Sequence, residues 1–187
     1  MKRLVLTVAI LISLAAPAWA GYAMVRLIVR ADAIGAAPLT LSGAKSDEGM
    51  AAFNRGEFGK AMQEFQVKAE QGDGLAAFMI AQLYSRGLGV EKNSAMAFEW
   101  YRRGANLGLP AAMGNLAVAY TRGYGTPRNY VRAHMWWNLY AAESSKGRLR
   151  SDATKQLERL EARMTPADIS KAQKLAREWW AKHRKKK

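Results

Sequence analysis

Three patterns in this chain have the composition of chemical sites. The first is YSRGLGV at residues 84–90, which returns as YTRGYGT at 120–126. Paired glycines beside Arg86 and Arg122 resemble a phosphate cradle. Such a cradle needs a strand before it and a helix opening on the glycines, so that free N–H groups face the anion. Here the glycines follow a helical stretch, and neither copy ends in Gly-Lys-Ser or Gly-Lys-Thr. Gly87, Gly89, Gly123 and Gly125 therefore read as turns that close helices. Arg86 and Arg122 read as loop-side arginines, with an anion contact as the lesser alternative. The second pattern is Ser42-Gly43-Ala44-Lys45, the S-x-x-K spacing of an acyl-transfer nucleophile and its base. That chemistry requires a rigid helix start and a K-T-G strand, and the chain has no K-T-G. The third is Glu158 with Glu161, one helical turn apart. Lys155 and Arg159 stand on the same stretch, so a solvated, salt-bridged face is expected and not a catalytic dyad. The chain has no cysteine and only two distant histidines, His134 and His183. No thiol chemistry, no metal site and no cofactor is expected.

The elements that carry these patterns repeat. A shift of 36 residues lays Ala76 on Ala112, Tyr84 on Tyr120, Gly87 on Gly123 and Gly89 on Gly125. It also lays Asn93 on Asn129, Ala97 on Ala133, Trp100 on Trp136 and Ala105 on Ala141. An earlier half-unit joins in register, with Gly72 preceding Gly108. Ala76, Ile80, Leu83 and Tyr84 fall on one helical face, and so do Ala97, Trp100, Tyr101 and Ala105. Each unit is thus a helix–turn–helix. One hairpin cannot bury its own apolar face, so neighbours must stack into a short solenoid.

The pattern A-x-x-x-[LI]-[AG]-x-x-Y-x-x-G-x-G, followed by A-x-x-W-x-x-x-A-x-x-x-G, resembles the Sel1-like repeat, a relative of the tetratricopeptide repeat. Residues 74–109 carry a nearly complete copy and 110–145 a second, while 46–73 resemble a degenerate first unit. Thr126 departs from the usual valine, and Tyr140 stands where Gly104 stands one unit earlier. The resemblance implies an all-α fold: a short right-handed α-solenoid of antiparallel helix pairs. A C-terminal helical cap is expected over 146–182, with Ser151 as N-cap of one helix and Thr165-Pro166 opening the next. Ile169, Ala172, Leu175, Ala176 and Trp179 should form that second helix's buried face.

Residues 1–20 read as a secretory signal. Lys2 and Arg3 precede an apolar run from Leu4 to Ala16, and Ala18-Trp19-Ala20 offers a cleavage site after Ala20. Leu4–Val25 is also 22 residues without a charge, so an uncleaved anchor stands as the alternative. Both place the repeats outside the cytoplasm, in the periplasm of a bacterium, where nucleic acid is not an expected partner. Residues 21–45 read as a linker.

The formal charge is +14, unevenly spread. Residues 46–109 are near neutral, whereas 143–187 hold fourteen basic and six acidic side chains, a net +8. The tail, 183–187, reads as a solvated end. Alternatively, Lys182, Arg184, Lys185, Lys186 and Lys187 meet an anionic lipid or glycan surface.

Two function classes follow. The resemblance implies an exported scaffold or adaptor that binds a protein or peptide along its concave wall. Phe78, Gln82, Asn115 and Val118, between core positions of the first helices, are candidate contacts. Trp137 and Trp180, each beside a core tryptophan, are candidate anchors. The competing class is an envelope-surface binder. A cell-wall or β-lactam hydrolase is a remote third, raised by S-x-x-K because some Sel1-like proteins are discussed in connection with β-lactam binding.

Overall fold

Side-chain caps explain where most of the helices begin. Asp47 accepts from the Met50 N–H, Asp73 from Leu75 and Ala76, Asn93 from Met96, and Asn129 from Arg132. Thr165 Oγ1 accepts from the Asp168 N–H and donates back to its carboxylate. Each such cap contributes about 1 kcal/mol by satisfying an orphan backbone donor. The computed structural model describes residues 47–144 and 148–184, all within one compact unit, Lys45–Lys187. The signal, the linker with Ser42 and Lys45, and Lys185, Lys186 and Lys187 lie outside the described residues.

Among the described residues there are eight helices and no strand. They are α1 (Glu48–Arg55), α2 (Phe58–Glu70), α3 (Gly74–Arg86), α4 (Ser94–Asn106), α5 (Pro110–Arg122), α6 (Tyr130–Glu143), α7 (Arg148–Glu161) and α8 (Pro166–Arg184). From α1 to α7 each helix packs on the next, and α3 also meets α5 directly. This is an α-solenoid in which α3 and α5, the first helices of the two complete units, meet directly. Both cap helices rest on α6.

Two apolar clusters fill the stack. Phe53, Met62, Phe65, Ile80 and Leu83 centre the first; Met113, Leu116, Trp136 and Leu139 centre the second, joined by Leu160 and Ala176 from the cap. Phe78, Tyr84 and Trp100 touch both clusters and join them. Ala76, Ala97, Ala105, Ala112 and Ala133 are buried, and their small side chains let the helices approach closely. Ala141 is only half-buried, because the cap and not another repeat follows α6.

Tyr140 has a structural cause. A Cβ added to Gly104 would lie 3.0 Å from Ala112 Cβ and 3.6 Å from Phe78 N, so no large residue fits there. One unit later the sizes reverse. Gly114 replaces Phe78, and the Tyr140 ring lies 3.5 Å from where its Cβ would be. The volume has moved from the first helix to the second.

Two expectations about the cap change. Ser151 is not an N-cap, because α7 already begins at Arg148 and Ser151 stands exposed within it. Leu149 and Arg150 are good helix formers, and the helix extends back through them. Glu161 is exposed, as a solvated face requires, but its partner lies off its own helix: its Oε1 is 2.7 Å from Nε2 of His134, whose side chain is 1% exposed.

Candidate functional site

The glycine turns are structural. Gly87 and Gly123 adopt left-handed φ of 70° and 81°, and their N–H groups donate to Leu83 and Ala119. The next N–H groups, Leu88 and Tyr124, return to the same carbonyls. Asn93 N–H then donates to Tyr84 O, and Asn129 N–H to Tyr120 O, both at 2.9 Å. The N–H groups of Gly87, Leu88 and Asn93, and of Gly123, Tyr124 and Asn129, are therefore committed to the hairpin. Gly89 and Gly125 have a further role: a Cβ would lie 2.6 Å from Phe58 Cβ at Gly89 and 2.0 Å from Ser94 O at Gly125. Each is pressed against the start of the preceding unit's second helix. They weld successive units together.

The two units differ where the second helix meets the first. In the earlier unit Tyr101 is buried against α3. Its ring lies 5.9 Å from Phe78, its hydroxyl accepts from Gln82 Nε2 at 2.9 Å, and it reaches Ser85 Oγ at 3.5 Å. Burial raises the Tyr101 phenol above its ordinary pKa. Thirty-six residues later the same three positions hold Trp137, Val118 and Thr121. An indole cannot accept from an amide, valine has nothing to donate, and Thr121 Oγ1 turns back to Ala117 O at 2.7 Å. The seam stays open. Val118, Thr121, Arg122, Tyr124, Trp137 and Gln156 line a cavity of about 280 Å³ there. Trp137 is held edge-on by Tyr140, with ring centroids 5.6 Å apart, and Tyr124 is 54% exposed at the rim. An aromatic held by its neighbours beside an aliphatic wall suits an inserted apolar side chain.

The candidates chosen from sequence distribute unevenly around this groove. Val118 and Trp137 meet in it. Phe78 and Gln82 sit at the equivalent, closed seam and are engaged by Tyr101. Asn115 is half-buried and donates to Ala111 O within its own helix. Trp180 is half-buried beside Trp179, ring centroids 6.2 Å apart. Lys182 is exposed, and Arg184 closes α8. Thr121, Tyr124 and Gln156 escaped the sequence reading. Thr121 was reachable by sliding Ser85 forward one unit, whereas Gln156 depends on how the cap docks. Among the described residues no group of three or more acidic, histidine or cysteine side chains is placed to hold a metal, and no helix is long and apolar enough to cross a membrane.

The Sel1 repeat family matches residues 74–109 and 110–144. The chain carries two Sel1 repeats. Its fold is similar to that of a protective antigen present in uropathogenic Escherichia coli strains, which displays an SLR fold. That likeness has a TM-score of 0.63 and 28% identity, covering 72% of this chain and 29% of that one. A Sel1 repeat protein from Oxalobacter formigenes is similar with a TM-score of 0.55 and 26% identity, covering 71% of this chain and 54% of that one. The chain therefore spans less than two thirds of either. No curated protein matches.

The Sel1 array ends at a polar clasp. Asn138 Nδ2 approaches His134 Nδ1 at 2.9 Å, and the other ring nitrogen meets Glu161. With the amide donating, Nδ1 accepts and Nε2–H is left to donate to the carboxylate. Trp179 adds an edge-on contact to Trp136, centroids 5.8 Å apart, and its Nε1 donates to Asn106 at 3.4 Å. The cap is thus tied to both repeats, and it supplies Gln156 to the groove.

Proposed function

We propose that this chain is an exported adaptor that binds protein, the general role of Sel1 repeats, and that it docks a partner segment by an apolar side chain inserted between Trp137 and Val118. The open seam, closed by Tyr101 and Gln82 in the preceding repeat, carries this reading. Export rests on the Lys2-Arg3 and Leu4–Ala16 pattern, with cleavage after Ala20 or retention as an anchor.

The test is a crosslinking pull-down from the envelope with the full chain. Trp137→Ala should lose the specific partner while keeping the wild-type circular dichroism. Equal capture by both chains refutes the groove. Docking on anionic lipid or glycan through Lys182, Arg184 and the tail is the competing reading, supported by the +8 charge of residues 143–187. It predicts binding that disappears at high salt and on deletion of 183–187.

A further inference from the structure

A second hollow, lined by none of the groove residues, gathers cations from three parts of the chain. Arg102 comes from α4, Arg128 from the loop after α5, and Arg132 from the first turn of α6. Together with Glu99 they surround a cavity of about 520 Å³. Its apolar floor is the edges of Phe98 and Tyr120, both otherwise buried in the core and edge to face with centroids 5.2 Å apart. The Arg132 guanidinium lies 5.9 Å over the Tyr120 ring. Arg128 Nε donates to Arg122 O at 3.3 Å, which orients its guanidinium.

The charges are unbalanced in a specific way. Glu99 accepts from both Nε and an Nη of Arg102 and neutralises that one guanidinium. Among the described residues, neither Arg128 nor Arg132 has a carboxylate partner. The opening dipole of α6 adds to the positive field. Two arginine forks beside an aromatic wall match a carboxylate with an apolar neighbour in one extended chain. A flat lipid surface would reach the exposed arginines but not the aromatic wall between them.

We propose that this hollow binds an acidic polypeptide segment, one carboxylate on Arg128 and Arg132 and the adjoining apolar side chain on Phe98 and Tyr120. This rests on the scaffold reading only in that the ligand is a polypeptide.

The experiment titrates the full chain with a fluorescein-labelled peptide alternating glutamate and leucine. Its glutamine counterpart and phosphatidylglycerol vesicles serve as comparisons. The glutamate peptide should bind, and the glutamine peptide should bind at least about tenfold more weakly. Arg128→Gln combined with Arg132→Gln should cost a similar factor at unchanged helicity. Glu99→Gln, which releases Arg102, should tighten binding a few-fold, an effect that misfolding cannot produce. Trp137→Ala should leave this titration unchanged, so failure here and failure of the groove are separate results. Equal affinity for the two peptides, no effect of the arginine pair, weaker binding by Glu99→Gln, or binding to the vesicles alone overturns the proposal.

Discussion

Trp137 stands where Tyr101 stands one repeat earlier, but it lacks the hydrogen-bonded cover that Gln82 gives the phenol. Three exchanges at equivalent positions, Tyr101 for Trp137, Gln82 for Val118 and Ser85 for Thr121, separate the sealed seam from the groove. The Asn93 and Asn129 caps, the glycine turns and the core alanines recur at the same spacing.

The groove should close when the earlier chemistry is transplanted. Trp137→Tyr with Val118→Gln rebuilds the Tyr101–Gln82 pair in the second repeat. The melting temperature is expected to hold or rise, since a new hydrogen bond contributes about 1 kcal/mol. Partner capture should be lost, which a melt beside a pull-down checks.

The inter-repeat glycine should be far less replaceable than the cap glycine. Gly125→Ala forces a Cβ to 2.0 Å from Ser94 O at a φ of 69°. The nearest atom at Gly123 is the Arg128 side chain at 3.2 Å, which can move. Gly123→Ala is therefore expected to cost about 1–2 kcal/mol, the ordinary left-handed penalty. Gly125→Ala should cost clearly more or prevent folding. Denaturant midpoints of the two variants decide it.

The clasp at the end of the array should be necessary for cap docking. Glu161→Ala leaves the buried His134 Nε2 without its partner, a loss of about 1–3 kcal/mol. Glu161→Gln offers an acceptor again and should recover part of it. Amide exchange is expected to rise in α7 first, ahead of α3 and α4.

Stability should fall at both pH extremes through named groups. Lys60, with Arg55, holds Glu48 below its ordinary pKa, and Arg55 does the same for Glu57. Depressed carboxylates stabilise the fold above their ordinary range, and that contribution is lost as pH falls through the depressed values. Both groups are exposed, so the effect should be confined to faster exchange in α1 in acid, reduced in Glu48→Gln. Tyr101 is raised, by burial. Its contribution is intact below the ordinary tyrosine range and is lost as pH climbs through it toward the raised value. Tyr101→Phe should flatten that alkaline decline in a pH series of melts.

The repeat itself was legible in sequence because it rests on local needs. A positive-φ turn demands glycine, and a close helix crossing demands alanine, so Gly87, Gly123, Ala76 and Ala112 show the period directly. Asn93 and Asn129 were visible as a matched pair, and their capping role follows from preceding a helix by one residue. The groove was half legible. Val118 and Trp137 were identified singly, one by its place between core positions and one as a neighbour of a core tryptophan. That they meet, while Phe78 and Gln82 are sealed by Tyr101, depends on long-range packing. The His134–Glu161 contact spans 27 residues and the cap's register, and helical spacing alone suggested a different set of partners for Glu161. The Arg102–Arg128–Arg132 hollow escaped for the same reason, since its cations come from two helices and a loop.

The most direct measurement is site-specific photocrosslinking in the intact cell. A benzophenone side chain placed at Val118 lies in the open seam, and one at Gln82 lies at the equivalent position of the sealed one. An adduct with one discrete partner from position 118, absent from position 82 and lost with Trp137→Ala, is the predicted result. Equal adducts from both positions, or adducts at 118 that survive Trp137→Ala, would contradict the groove as the docking site.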